Sequence, residues 1–143
     1  PPDPAWAQPE AADSLLSMSR PLAGQHLLVL AARRETRQRL REALRPLGSM
    51  IDFVPSVEAA QAFCAGALPH ALVYEAALGG ERFERLRETL LAQAGGLALV
   101  CIAEEGHQIE VRNQGRRQLT TVGRDAVAHA LPAALLFELD RQG

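Results

Sequence analysis

The sequence predicts an α/β fold in which a parallel sheet is covered by helices on both faces. The run Leu27–Leu30 is apolar at every position, as in a central strand that is covered on both sides. Strand-like and helix-like patterns then alternate five times, which is typical of parallel strands joined by right-handed crossovers. The length of 143 residues, with 48% apolar and 22% charged residues, suits one domain with a sizeable core.

Each element has its own signal. Leu40 and Leu44 recur on one face of the first helix, and Ser56 is placed to cap the second. The polar stretch 104–117 is expected to hold a short helix, so five strands are predicted. The predicted strands are 26–31, 50–54, 71–74, 97–103 and 118–122, and the helices with clear limits are 34–46, 81–93 and 125–139.

Residues 1–24 differ from the rest of the chain. They are rich in Pro and Ala and show neither a strand nor a long helix pattern. We therefore expect an interdomain linker over 1–24 and the folded domain over 25–143.

Composition excludes several classes of function. A net charge of -2 and 4% aromatic residues argue against binding to a nucleic-acid polymer. No apolar run reaches the roughly 20 residues that span a bilayer, so no direct membrane contact is expected. Cys64 and Cys101 lie in apolar surroundings, which predicts reduced thiols and a cytoplasmic location.

The sequence also lacks the groups that an enzyme of a familiar kind requires. Its four histidines (His26, His70, His107 and His129) are scattered, without Cys or acidic residues at metal-ligand spacing. There is no nucleophile elbow and no Gly-rich phosphate loop. We expect neither catalysis nor a bound metal or cofactor. All fifteen basic residues are Arg, and the chain contains no Lys.

Five strand–helix units, with the entry PLAGQHLLVL and the helix RRETRQRLREALRPLG, resemble the receiver domains of two-component signalling. The likeness is closest to receivers inside hybrid sensor histidine kinases and covers residues 22–141. It implies a flavodoxin-like fold with a five-stranded parallel sheet and helices on both faces. Because it lies in element order and helix patterning, it says little about activity.

The resemblance also implies where the phosphorylation site would lie. Receivers carry a magnesium-binding acidic pair after strand one, a phosphorylated Asp after strand three, a hydroxyl after strand four and a Lys after strand five. Carboxylate oxygens suit the magnesium ion, the metal and the Lys neutralise charge on the transferring phosphoryl, and the hydroxyl hydrogen-bonds the phosphate. This sequence departs from the pattern almost everywhere: Ala31 and Ala32 replace the acidic pair, Glu75 the Asp, Ile102 or Ala103 the hydroxyl, and Thr121 the Lys.

The expectation is thus a phosphorylation-incompetent pseudo-receiver that binds or regulates the kinase core or other domains of its own chain, or forms a homodimer. Arg33 and Arg34 would repel magnesium. Glu75, paired with one of them, is an alternative candidate for a permanent mimic of the phosphorylated state. The switch aromatic that receivers often have on strand five corresponds to Gln118.

An alternative is a sensor of a nucleotide second messenger such as cyclic di-GMP. Arginine guanidinium groups grip phosphates and stack on bases, and four arginines lie around the fifth predicted strand. They are Arg112, Arg116, Arg117 and Arg124. A solvated basic face interrupted by glutamates is the plainer interpretation of the same residues.

Overall fold

The computed structural model describes Pro4 and residues 20–93, 96–114 and 117–142, and for 113, 114, 117, 118 and 142 it describes the main chain alone. Six strands form one sheet in the order β2-β1-β3-β4-β6-β5. The strands are β1 (His26–Leu30), β2 (Met50–Val54), β3 (Ala71–Glu75), β4 (Ala98–Ala103), β5 (Ile109–Gln114) and β6 (Arg117–Gly123). The α-helices are α1 (Arg34–Leu44), α2 (Val57–Gly66), α3 (Glu81–Gln93) and α4 (Val127–Gln142).

Five strands are parallel to one another, and β5 alone runs antiparallel, against β6. β1 and β3 lie in the middle of the sheet and are buried almost throughout. Their apolar runs reflect helices packed on both faces. The α/β fold with a mostly parallel sheet and flanking helices is therefore confirmed.

The prediction of five strands was wrong, and so was the short helix expected in the stretch 104–117. Ile109–Gln114 form a strand, because apolar Ile109 and Val111 alternate with charged Glu110 and Arg112. This period of two places Ile109 in the core and exposes Arg112. The connection between β4 and β6 therefore contains an additional strand, β5, at the edge of the sheet, where a helix was expected.

Local signals explain where the elements begin and end. The hydroxyl of Ser56 accepts a hydrogen bond from the N–H of Ala59 at 3.1 Å, which confirms the N-cap of α2. After α1, a short 3₁₀ turn over Arg45–Leu47 ends at Gly48, whose φ of 86° lies in the left-handed region. A side chain at Gly48 would also meet the Arg20 side chain at 2.8 Å.

Two hydrophobic cores sandwich the sheet. One lies under α1 and α4 and includes Val29, Val73, Val100 and Val122. The other lies under α2 and α3 and includes Leu28, Leu72, Tyr74, Cys101 and Leu119. Alternate residues of each strand enter opposite cores, as the pleat requires.

The chain already packs onto the core at Leu22, which is 1% exposed. Its N–H donates to the carbonyl of Leu47 at 2.9 Å. Except for Pro4 and 20–24, the predicted linker lies outside the described residues. In the part of the chain that the structure describes, no helix has the length and apolarity needed to cross a membrane.

Candidate functional site at the carboxyl edge of the sheet

Four of the predicted site residues lie at the carboxyl ends of neighbouring central strands. Ala31 and Ala32 follow β1, Glu75 ends β3, and Ile102 lies near the end of β4. Glu75 pairs with Ile102 in the sheet. Ligands of open α/β sheets bind at this edge, so the fold does bring these positions together.

The carboxylate of Glu75 is the chemical centre of this edge. The residue is only 7% exposed. Its Oε1 accepts hydrogen bonds from the main-chain N–H of Ala32 at 2.5 Å and of Arg33 at 3.1 Å. Because Arg33 is the N-cap of α1, these amides precede a helix N-terminus, where a negative charge is favoured. The acid is therefore held by the loop between β1 and α1.

Arg37 fixes the same loop from α1. Its Nη1 donates to the carbonyl of Ala31 at 3.0 Å and to the carbonyl of Ala32 at 2.9 Å. The loop thus has its amides turned toward Glu75 and its carbonyls engaged by a guanidinium. Both sets of bonds hold the first turn of α1 against the end of β3.

If Glu75 mimicked a phosphorylated residue, the guanidinium of Arg33 or Arg34 would pair with its carboxylate, and neither does. Both residues are exposed. Among the ion pairs of the described residues, none joins either guanidinium to Glu75. The contacts of Glu75 come from main-chain amides, whereas the hypothesis of a mimic assigned it an arginine partner.

Thr121 does not lie level with Glu75. Val122 pairs with Ile102 and so occupies the rung of Glu75, while Thr121 pairs with Cys101 one step deeper. The hydroxyl of Thr121 hydrogen-bonds Cys101 in the core under α2 and α3. Ile102, which follows Cys101 in the chain, is 2% exposed and belongs to the opposite core.

A network of four charged residues flanks the site and was not predicted. Glu35 pairs with Arg39 at 3.1 Å and with Arg124 at 2.9 Å, and Arg39 also pairs with Asp125 at 3.2 Å. The spacing of Glu35 and Arg39, four residues apart on a helix, is a signal that sequence reasoning had available. The contacts to Arg124 and Asp125 depend on the fold.

Asp125 joins this network to the loop after β4. Its Oδ2 accepts from the N–H of Gly106 at 3.0 Å, and its own N–H donates to the carbonyl of Gly106 at 2.9 Å. The Gly106 amide, followed by the Arg39 hydrogen bond, lowers the pKa of the Asp125 carboxyl below its usual value. Asp125 therefore connects α1 to the loop between β4 and β5 through an ion pair and two hydrogen bonds.

The two predicted nucleotide-binding arginines whose side chains the structure describes, Arg112 and Arg124, do not lie together. Arg124 pairs with Glu35, and Arg112 pairs with Glu110 at 2.7 Å. Arg112 lies opposite Leu119, five residues before Arg124 and so roughly 16 Å away along the strand. Arg116 lies outside the described residues, as does the side chain of Arg117.

A shallow cleft of about 360 Å³ opens beside the Glu75 site. Both acidic and basic groups line it, a mixture that suits neither a strong anion nor a bare cation. The lining residues are Arg33, Glu104, Glu105, Arg124 and Asp125. Within 20–93, 96–114 and 117–142, no three His, Cys, Asp or Glu side chains are grouped so as to hold a metal ion.

Several solved structures with a similar fold are receiver domains. The signal receiver domain of an HD domain-containing protein from Pseudomonas fluorescens Pf-5 superposes with a TM-score of 0.64 at 17% identity, over 82% of this chain and 96% of that one. The chain has a receiver fold. A second receiver-fold match is the N-terminal domain of a response regulator/sensory box/GGDEF three-domain protein from Carboxydothermus hydrogenoformans, with a TM-score of 0.61 and 17% identity over 82% and 95% of the two chains.

The PhyR response regulator receiver domain from Erythrobacter litoralis shares the receiver fold too, with a TM-score of 0.56 and 19% identity over 80% of this chain and 92% of that one. No protein-family profile matches the chain. No curated protein matches it either. At these identities the likeness establishes the fold, and the function has to be argued from the site.

Proposed function

We propose that this domain is a pseudo-receiver of two-component signalling, unable to accept a phosphoryl group, that regulates or binds other domains of a cytoplasmic hybrid sensor histidine kinase. The observation that carries the proposal is the capture of the Glu75 carboxylate by the amides of Ala32 and Arg33. The receiver fold supports the signalling context, and the site supports the loss of phosphorylation.

Phosphoryl transfer to a carboxylate needs a free oxygen nucleophile and cations that neutralise the transferring group. Here two amides bond Oε1 of Glu75 and the residue is only 7% exposed, so the carboxylate offers a phosphoryl donor little access. The methyl groups of Ala31 and Ala32 supply no oxygen ligands for magnesium. No Lys exists in the chain to take the second cationic role.

The same contacts suggest what the acid does. A carboxylate bound by two amides fixes the loop between β1 and α1 without a metal, which keeps α1 in one position. The exposed side of α1 and of the 3₁₀ turn after it then carries Arg34, Arg41 and Arg45 as a constant basic surface. We propose this surface for contact with an acidic face of the kinase core.

The test is an intact-mass and backbone NMR titration of the chain with magnesium and acetyl phosphate, and separately with beryllofluoride. We expect no mass increase and no shifts around Glu75. A triple variant with Ala31→Asp, Ala32→Asp and Glu75→Asp is the matched control, because it restores carboxylates where the resemblance places them. A phosphoryl adduct on the unmodified chain, or beryllofluoride shifts at Ala32 and Arg33, would overturn the proposal.

Nucleotide sensing is the second candidate and rests on less. The guanidinium groups of Arg112 and Arg124 are held by Glu110 and Glu35, so binding a phosphate there would first break ion pairs. Cyclic di-GMP added to the same NMR sample decides the matter. Saturable shifts confined to the surroundings of these arginines would favour the sensor over the pseudo-receiver that acts by contact alone.

A further inference from the structure

Among the residues that the structure describes, β5 is the last strand of the sheet, and no strand pairs with the main-chain groups on its outer side. The N–H of Gly123 donates to the carbonyl of Gln108 at 2.7 Å, so these two residues form a hydrogen-bonded pair of the antiparallel ladder. Along β5, hydrogen-bonded and non-hydrogen-bonded pairs then alternate, starting from this one. Glu110 and Arg112 therefore direct their main-chain groups toward β6. Ile109, Val111 and Asn113 direct theirs away from the sheet.

Apart from the charged side chains of Glu110 and Arg112, this edge lacks the common protections against pairing with another strand. β5 contains neither Pro nor Lys, and it has no bulge in its register with β6. Among the described elements, β6 is the one that contacts β5 extensively. An extended, regular edge of this kind is a template for a further strand.

We propose that two copies of this chain associate through their β5 strands, antiparallel, about a twofold axis at Val111. In that register Val111 faces Val111 of the second copy, and Ile109 faces Asn113. All the outward main-chain groups then pair in about six hydrogen bonds, and the two sheets join into one. The inference is independent of the proposed function.

Charge selects this register. Glu110 and Arg112 lie two residues apart on one face of β5 and form an ion pair at 2.7 Å. Pairing about Val111 places each Glu110 opposite the Arg112 of the other copy, so the four charges alternate in sign. The neighbouring registers that also satisfy the outward groups place Glu110 opposite Glu110 or Arg112 opposite Arg112, which is unfavourable.

The interface is small, since one edge strand contributes it, so a weak dimer is expected, in the roughly micromolar range. The first experiment is sedimentation velocity of the full chain over a concentration series. We expect a monomer–dimer equilibrium. A monomer at every concentration up to about 1 mM, where an affinity of this order predicts mostly dimer, would overturn the proposal.

Charge variants test the register. Glu110→Arg gives a strand with two positive charges, and Arg112→Glu gives a strand with two negative charges, so each variant alone should lose at least tenfold in dimer affinity. An equimolar mixture of the two should dimerise again, because every opposing pair is then complementary. Circular dichroism of each variant checks that it folds. Dimers that neither substitution weakens would refute pairing through β5.

A cross-link tests the axis itself. Val111→Cys brings two thiols together at a Cα separation of about 5.5 Å, which permits a disulfide, so mild oxidation should yield a covalent dimer. Gln108→Cys is the matched control, because it lies roughly 20 Å from its own copy across the axis. Equal cross-linking of the two variants would contradict the twofold at Val111.

Discussion

Thr120 and Thr121 are neighbours on β6 and enter opposite cores, and each core binds its threonine in a different way. Under α1 and α4, the hydroxyl of Thr120 donates to Oε1 of Glu138 at 2.7 Å. Oε2 of Glu138 accepts from Arg141 at 2.7 Å. Under α2 and α3, the hydroxyl of Thr121 bonds Cys101, which also bonds Tyr74. One core thus contains a charged cluster and the other a neutral one.

The difference shows what each kind of buried polar group needs. Glu138 is fully buried and its charge is balanced by Arg141, whose side chain remains 36% exposed at the end of α4. The neutral cluster needs no such counter-charge, because hydroxyl and thiol groups satisfy one another inside the core. The charged core should therefore depend on one surface residue, and the neutral core on none.

The largest effect is expected from Arg141→Ala. It leaves the Glu138 carboxylate buried without its cation, which should lower the free energy of unfolding by about 3 kcal/mol at pH 7. Urea denaturation measures this loss. Adding Glu138→Gln to the variant removes the buried charge and should recover most of the stability.

Arg45→Ala is the matched control, since Arg45 is another exposed arginine near a helix end. It should change stability by less than about 0.5 kcal/mol. If Arg45→Ala costs as much as Arg141→Ala, the loss comes from removing an arginine and the charged core has no special need of Arg141.

The paired substitutions Thr120→Val and Thr121→Val compare the two cores directly. Both replace a hydroxyl by a methyl group of similar size. Thr120→Val removes a bond to a charged acceptor and should cost about 2 kcal/mol, while Thr121→Val removes a neutral bond and should cost about 1 kcal/mol or less. The same urea measurement gives both values. Equal costs would show that the charge on Glu138 is not what distinguishes the cores.

The sequence predicted those parts of the fold that depend on local patterns. Met50–Val54 and Glu81–Gln93 have the bounds that periodicity indicated, and Ser56 caps its helix as expected. The extra strand was missed although its signal was present. Ile109 and Val111 alternate with charged residues, but a polar loop was expected to contain a helix.

The candidate site was predictable in position and not in contacts. Glu75 follows an apolar run, so its place at the end of a central strand follows from the pattern alone. Its bonds to the amides of Ala32 and Arg33 depend on how the fold brings together residues more than forty positions apart. The buried pair of Thr120 and Glu138 likewise joins two elements whose packing no local pattern encodes.

The last prediction concerns how stability depends on alkaline pH. This effect is negligible near pH 7, and it tests the neutral core alone. Burial raises the pKa of the Cys101 thiol, an effect that hydrogen bonds from Tyr74 and Thr121 partly offset. Burial likewise raises the pKa of Cys64 and, most strongly, of Tyr74. Since the chain has no Lys, these three are the side chains whose ordinary pKa, as in the unfolded chain, lies between about 8 and 11.

The folded state therefore holds these protons more tightly than the unfolded state does. The contribution of these three groups to stability should be fully present below the unfolded thiol pKa of about 8.5, and it should be lost as the pH rises from there toward the folded values. Urea midpoints at pH 7.5 and pH 10 measure the fall. Cys101→Val removes one titrating group from the neutral core and should make the fall shallower, whereas Arg141→Ala should leave its slope unchanged, because the charged core contains no group that titrates there. A slope that Cys101→Val does not alter would place the alkaline sensitivity elsewhere in the chain.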